Sequence, residues 1–333
     1  MKKSSISMLR NDGDVLLAQL QKRKSIVRDK VDSLVPKLSR RTRNDDDDPA
    51  EFLRDIPADL EEGEVDDNED DDEEEEAARS GGKVCHGCHL VRGKMDHEME
   101  DYVVAENRKV DGYELGLYAI FDGHSGRNVA KYLQAHLFDN ILNEPDFWRN
   151  PKSAIRRAYK TTDQEILEHV VGRSGGSTAV TAILIDGKTL VVANVGDSRA
   201  VLCRNGMATQ VSVDHEPEKE RGLVESKGGF VVEMPGNVPR VDGQLAMSRA
   251  FGDARLKDHI SSEPDLKIVT IDRDDTDSII LASDGLWKVM SNQDACDCIR
   301  GVEDPKEAAK TLIAEALARG SKDDISCIVV MID

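Results

Sequence analysis

The chain has 333 residues, of which 39% are hydrophobic, enough for a sizeable core in one large domain with an extension or in two modest domains. Its formal charge of −20 is unevenly placed: residues 45–76 hold twenty Asp or Glu and one basic residue, Arg54, for a local net of −19, so everything else sums to −1. No run of eighteen apolar residues exists, the N-terminus lacks an uninterrupted apolar stretch with a cleavage site, and Lys2 stands where myristoylation needs glycine. A membrane span, secretion and that lipid anchor are therefore not expected, and a soluble protein of the cytoplasm or nucleus is.

Residues 1–80 are expected to form a disordered extension, because the acidic run at 45–76 cannot bury enough apolar surface to offset the entropy of ordering it. The run either solvates the chain or offers a surface to basic partners or a basic cleft. Leu16 to Leu20 could form a short helix, and Lys37 to Arg43 is a weak basic cluster. From about residue 81 short apolar runs alternate with amphipathic stretches, giving one domain over 81–333 with no internal repeat. Residues 115–122 (LGLYAIFD) read as a buried strand, and Val129, Leu133, Leu137 and Ile141 recur every four residues as on one helix face. Pro151 starts a second helix with Ile155, Tyr159, Ile166 and Val170 facing inward. Residues 178–185 and 189–195 flank Asp186-Gly187, the signal of a short antiparallel hairpin, and a further strand ends at Arg204-Asn205-Gly206. Strands at 278–283 and 325–332 bracket helices near 292–300 and 305–319. Helices in groups and antiparallel strands imply an α/β fold with antiparallel sheets.

Six cysteines stand at 85, 88, 203, 296, 298 and 327. One CxxC pair without a second pair does not complete a four-thiolate zinc site, and all six are expected to be free thiols in a reducing compartment. Within CHGCH (85–89), Cys85 and Cys88 should face opposite sides of a regular strand, their spacing incidental.

Four segments place acids at strand or hairpin ends: MED (99–101), FDGH (121–124), SDG (283–285) and KDD (322–324). One such acid is usually a turn former, but four brought to one sheet edge would supply the hard oxygen ligands of magnesium or manganese. Two such ions about 3.5–4 Å apart can activate a water and stabilise a phosphoryl group, one carboxylate bridging them. Gly123 lets its carbonyl approach a metal, and His124 could give a proton to a leaving alkoxide.

With MEDY (99–102), FDGHSG (121–126), GGSTAV (175–180), ANVGDSRAVL (193–202), DHEP (214–217), GGFV (228–231), LAMSRAFGD (245–253), ASDGLW (282–287) and SKDDIS (321–326) in this order, the chain resembles the metal-dependent serine/threonine protein phosphatases of type 2C over about residues 83–332, nearest a plant-type branch. The resemblance implies a β-sandwich of two antiparallel sheets flanked by pairs of helices. It implies that Asp122 bridges two Mg²⁺ or Mn²⁺ ions, that Glu100 and the Gly123 carbonyl bind one and Asp284 and Asp323 the other, and that Asp197 helps hold a weaker third. Asp101 would orient the metal-activated water, His124 would be the general acid, and Asp324 would stand beside the ligands without being one.

Two positions depart from the pattern. Asp96 occupies the place of the family's phosphate-clamping arginine, leaving Lys94 as the candidate phosphate contact, or else Arg92. Lys288 stands where animal members often carry an acid that assists the third metal, and its ammonium could partly replace that cation. Met234 stands where the plant hormone co-receptors of the family carry a tryptophan, so hormone co-reception is not expected. The expected protein is a monomeric phosphatase of phosphoproteins, kinases possible among them, with no nucleic-acid or membrane partner. The competing reading is a catalytically weak or inactive scaffold that keeps the fold and binds phosphoprotein partners.

Overall fold

A computed structural model describes residues 84–170 and 175–332. The acidic run, the Leu16 to Leu20 segment and the Lys37 to Arg43 cluster lie outside the described residues. In chain order the described part begins with β1 (Val84–Val91), β2 (Asp101–Val110) and β3 (Tyr113–His124), followed by the paired helices α1 (Asn128–Leu142) and α2 (Pro151–His169). Next come β4 (Gly176–Ser177), β5 (Ala179–Ile185), β6 (Thr189–Val195), β7 (Arg199–Arg204) and β8 (Met207–Gln210). A smaller region carries α3 (Arg221–Ser226), β9 (Val231–Val232), β10 (Arg240–Val241) and β11 (Phe251–Gly252). The chain closes with β12 (Asp265–Thr270), β13 (Thr276–Ala282), α4 (Asp284–Trp287), α5 (Asn292–Cys298), α6 (Pro305–Ala318) and β14 (Ile325–Ile332).

The turns that link neighbouring strands form where the residue types permit left-handed backbone. Asp186-Gly187 and Asn205-Gly206 both have positive φ, as does Asp111-Gly112 between β2 and β3. Most strands build two antiparallel sheets, one ordered β1-β14-β13-β7-β8 and one ordered β11-β4-β3-β5-β6-β12 with β2 also on β3, while β9 and β10 pair only with each other. The expected sandwich of two antiparallel sheets with helices on its outer faces is the observed architecture.

Side-chain alternation in β3 shows how the layers are specified. Leu115, Leu117, Ala119 and Phe121 pack with Leu133, Leu137, Ile155 and Tyr159 of α1 and α2, whereas Tyr118 and Ile120 join Val180, Leu202, Leu281 and Ile328 between the sheets. On the other outer face Val201, Ile280 and Val329 pack with Ala295 of α5 and Leu312 of α6. In β1, Cys88 joins the inter-sheet cluster while the opposite face abuts α6, where a Cβ on Gly87 would lie 2.5 Å from the Lys306 Cα. CHGCH is thus ordinary edge strand, with Cys85 and Cys88 free. No described helix is long and apolar enough to cross a membrane.

The expectation of six free thiols is corrected at one pair. Cys203 of β7 and Cys296 of α5 form a disulfide with a Cα to Cα distance of 6.0 Å across a sequence separation of 93. Both are buried in the cluster between the first sheet and α5, where tertiary packing brings thiols together that no local spacing connects.

Candidate active site

Strand ends carry the acids to one edge of the sandwich. The β2–β3 register sets Asp101 directly opposite Asp122, a placement of like charges that costs stability in an ordinary sheet. Asp284 opens α4 immediately after β13, and Asp323 precedes β14, the neighbouring strand. Asp197 follows β6 in a turn whose Gly196 has φ +100°.

Hydrogen bonds fix this edge. The Asp122 N–H donates to Thr178 Oγ1 at 3.1 Å, and the Thr178 N–H donates back to the Asp122 carbonyl at 2.9 Å. Asp324 receives the Gly93 N–H on Oδ1 at 2.7 Å and the Glu100 N–H on Oδ2 at 2.9 Å. It therefore anchors the loop that presents Glu100. Glu100 Oε1 receives the Gly126 N–H at 2.6 Å, and a Cβ on Gly123 would lie 2.6 Å from the Glu100 carbonyl oxygen, so only glycine allows these backbones to meet. Asp101 Oδ2 receives the Ser326 hydroxyl at 2.7 Å while its buried Oδ1 has no partner, and Asp197 Oδ1 is likewise buried and unpartnered.

The electrostatics are those of crowded anions. Burial, then the charges of Asp101, Asp284, Asp197 and Asp323, push the Asp122 pKa well above the carboxylate range. Burial raises Asp101 to about 7 against the opposing hydrogen bond from Ser326, with Asp324 and Asp284 adding to the rise. Burial and then Asp284 raise Asp197 to about 8. Asp284 is also raised, chiefly by burial, with Lys288 opposing. The Lys288 Nζ lies 2.6 Å from Asp284 and 3.0 Å from Asp323. These two carboxylates hold its pKa above the usual lysine value against the opposing effect of burial. One ammonium against this set leaves orphaned oxygens and unneutralised charge, so the donor set fits hard divalent cations.

The His124 Nε2 lies 2.7 Å from Asp253 Oδ2, and its Nδ1 is buried without a partner. Asp253 is a site residue that pattern reading missed, because 129 positions separate it from His124; its only local signal is its place in the FGD triplet. A Cβ on Gly176 would lie 2.2 Å from Asp253 Oδ2 and 2.6 Å from His124 Nε2, which explains the GG pair before β5. Lys94 is exposed, its N–H donating to the Lys322 carbonyl at 2.7 Å beside Asp323, and Arg92 and Asp96 are exposed on the same loop. A second cluster, His215, Glu220 and Asp265, brings ligand-type atoms within 4.8 Å of one another. Arg249 binds Glu220 and lies 3.4 Å from Asp265, so this cluster already has its counter-charge.

A family model described as Protein phosphatase 2C matches residues 90–325. The chain belongs to the protein phosphatase 2C family. Members of the family are Mg²⁺- or Mn²⁺-dependent phosphatases of serine and threonine residues, and this phosphatase is of the plant type. It is 68% identical over 246 residues to the Arabidopsis thaliana protein named "Probable protein phosphatase 2C 28", covering 74% of this chain and 72% of that one. It is 61% identical over 256 residues to the rice protein named "Probable protein phosphatase 2C 62", covering 75% and 88%. Among solved structures, a serine-threonine phosphatase 2C from Toxoplasma gondii shares the fold with a TM-score of 0.68 at 23% identity, covering 76% of this chain and 96% of that one. A C. elegans sex-determining protein aligns with a TM-score of 0.66 at 28% identity, covering 76% and 65%.

Proposed function

We propose that this phosphatase hydrolyses phosphoserine and phosphothreonine in proteins, kinases among them, as a monomer, with Glu100, Asp122, the Gly123 carbonyl, Asp284 and Asp323 holding two Mg²⁺ or Mn²⁺ ions and Asp197 a weaker third. The observation that carries the reading is the convergence of Asp101, Asp197, Asp284 and Asp323 on a half-buried Asp122, with Lys288 as their one close ammonium among the described residues. When bound, the cations supply an activated water and positive charge against the phosphoryl oxygens.

The chain's own groups do the rest. Asp324 holds Glu100 in place through the backbone, and Thr178 holds Asp122. Asp101, tied through Oδ2 to Ser326, keeps Oδ1 free to orient water. Asp253 holds the His124 ring through Nε2, orienting His124 as the general acid that gives a proton to the departing serine or threonine oxygen. Lys94 sits on the same loop as Glu100 and offers a single positive charge to the phosphate.

Lys288 favours a second reading, in which its ammonium takes the place of a cation between Asp284 and Asp323 and the protein is a weak or inactive phosphoprotein-binding scaffold. Hydrolysis of a phosphopeptide separates the two. Turnover that appears with Mn²⁺ and vanishes with EDTA supports the enzyme; tight phosphopeptide binding without turnover at any Mn²⁺ concentration supports the scaffold.

A further inference from the structure

The second titratable cluster lies next to the metal carboxylates but outside them. His215 is almost fully buried, and both of its ring nitrogens are committed. The Gly196 N–H donates to Nδ1 at 3.0 Å, which makes Nδ1 an acceptor and places the ring proton on Nε2, 2.8 Å from Asp265 Oδ2. The backbone closes the same pairing in reverse, since the His215 N–H donates to the Gly196 carbonyl at 2.9 Å.

We infer that His215, in the tautomer that Asp265 imposes, is a positioning residue that aims Asp197 at the metal carboxylates by accepting the Gly196 N–H. The inference rests on the reading of Asp197 as a ligand of the weaker cation. Three features of the turn carry it. Gly196 is at φ +100°, and a Cβ there would lie 2.6 Å from the Thr178 Cγ2, so the turn is seated against the residue that also holds Asp122. Asp197 Oδ1 is buried without a partner, leaving the direction of that oxygen to the backbone that carries it. Asp265 is paired with Asn194 in the register of β12 on β6, and Asn194 donates to the Gly196 carbonyl at 3.1 Å, so the far end of the relay is anchored to the same strand.

The surroundings keep the imidazole neutral and the relay polarised. The charged groups that face it are Asp265, Arg249 and Glu220, with Arg249 bridging the two carboxylates. Burial holds the His215 pKa below its ordinary value, against the opposing pull of Asp265. The relay also reaches the smaller region, because the Ser248 N–H donates to the His215 carbonyl at 3.0 Å and the Ser248 hydroxyl donates to Glu220 at 2.7 Å.

Two substitutions separate the halves of the ring. Asparagine places its oxygen near Nδ1 and restores the acceptor for Gly196; glutamine places its NH₂ near Nε2 and restores only the donor to Asp265. On the full chain, His215→Gln should raise the deuterium exchange rate of the Gly196 amide about tenfold or more, the effect of a lost buried hydrogen bond, while His215→Asn stays within about threefold of wild type. Mn²⁺ titration followed by electron paramagnetic resonance should show the weakest site lost or weakened about tenfold in His215→Gln, as in Asp197→Asn, and retained in His215→Asn. Unchanged exchange at Gly196 in His215→Gln would overturn the inference. So would equal losses of exchange protection and melting temperature in both His215 variants, since that is the behaviour of a packing residue. If exchange rises in His215→Gln but Mn²⁺ binding changes neither there nor in Asp197→Asn, the assignment of Asp197 as a ligand is wrong and the positioning role falls with it, although the hydrogen bond stands.

Discussion

Strand β3 belongs to two regions with opposite physics. From Leu115 to Phe121 its side chains enter apolar layers on both faces, where burial stabilises the fold by about 1.5–3 kcal/mol for each large side chain. From Asp122 to His124 the same strand enters a nest of carboxylates that repel one another and are pushed above their usual pKa range. The first region is built for stability. The second spends some of that stability to hold charges where cations can use them. A fold of two antiparallel sheets tolerates this arrangement because the strain is confined to strand ends, while the centres of β3, β5, β13 and β14 remain fully packed.

The largest effect is expected at Asp122, where the apolar part of β3 meets the carboxylates. Asp122→Asn preserves shape and removes charge, so turnover with Mn²⁺ should fall by about three orders of magnitude or more while the variant melts no lower than wild type without metal. Steady-state hydrolysis and calorimetry on the same preparation check both halves. His124→Ala should lower turnover of a phosphoserine peptide about 10²- to 10⁴-fold but spare an aryl phosphate, whose leaving group scarcely needs a proton. Equal losses on the two substrates would remove the acid role from His124.

A milder effect belongs to Lys94. Lys94→Ala should raise KM for phosphopeptides about tenfold, as expected from loss of a charge-assisted contact, with metal affinity unchanged. A KM that moves with Arg92→Ala instead would shift the phosphate contact to Arg92. The smallest effect sharpens the contrast through pH. Asp101 and Asp197 are raised from 3.8 to about 7 and about 8, so the folded protein holds protons there that the unfolded chain has already released. Stability of the metal-free protein should therefore decline as pH rises from about 4 through 8, read as a falling melting temperature, and saturating Mg²⁺ should flatten the decline. A melting temperature that rises over this window without metal would show that these carboxylates are not raised.

Legibility from sequence followed the range of the interaction. Asp186-Gly187 and Asn205-Gly206 could be read as turns because positive φ is a local demand on residue type. The inward faces of α1 and α2 could be read because a helix repeats locally. The acids at 100, 122, 284 and 323 stood out because each sits at the end of an element within a short recurrent motif. Partnerships made through space left no such trace. Nothing near Cys203 announces Cys296, nothing near His124 announces Asp253, and the DHEP segment does not reveal that its histidine reaches back to Gly196 and forward to Asp265. Each depends on which strands and loops become neighbours, which is set by the packing of whole layers.

The acidic edge should behave as a destabilised part of the fold that divalent cations complete. Thermal unfolding of the wild-type chain at pH 8 across a Mn²⁺ titration, with EDTA as the reversal, tests it most directly. The melting temperature should climb with Mn²⁺ and return with EDTA, in parallel with the gain and loss of phosphopeptide hydrolysis. A melting temperature indifferent to millimolar Mn²⁺ would contradict it and leave Lys288 as the sole counter-charge of the site.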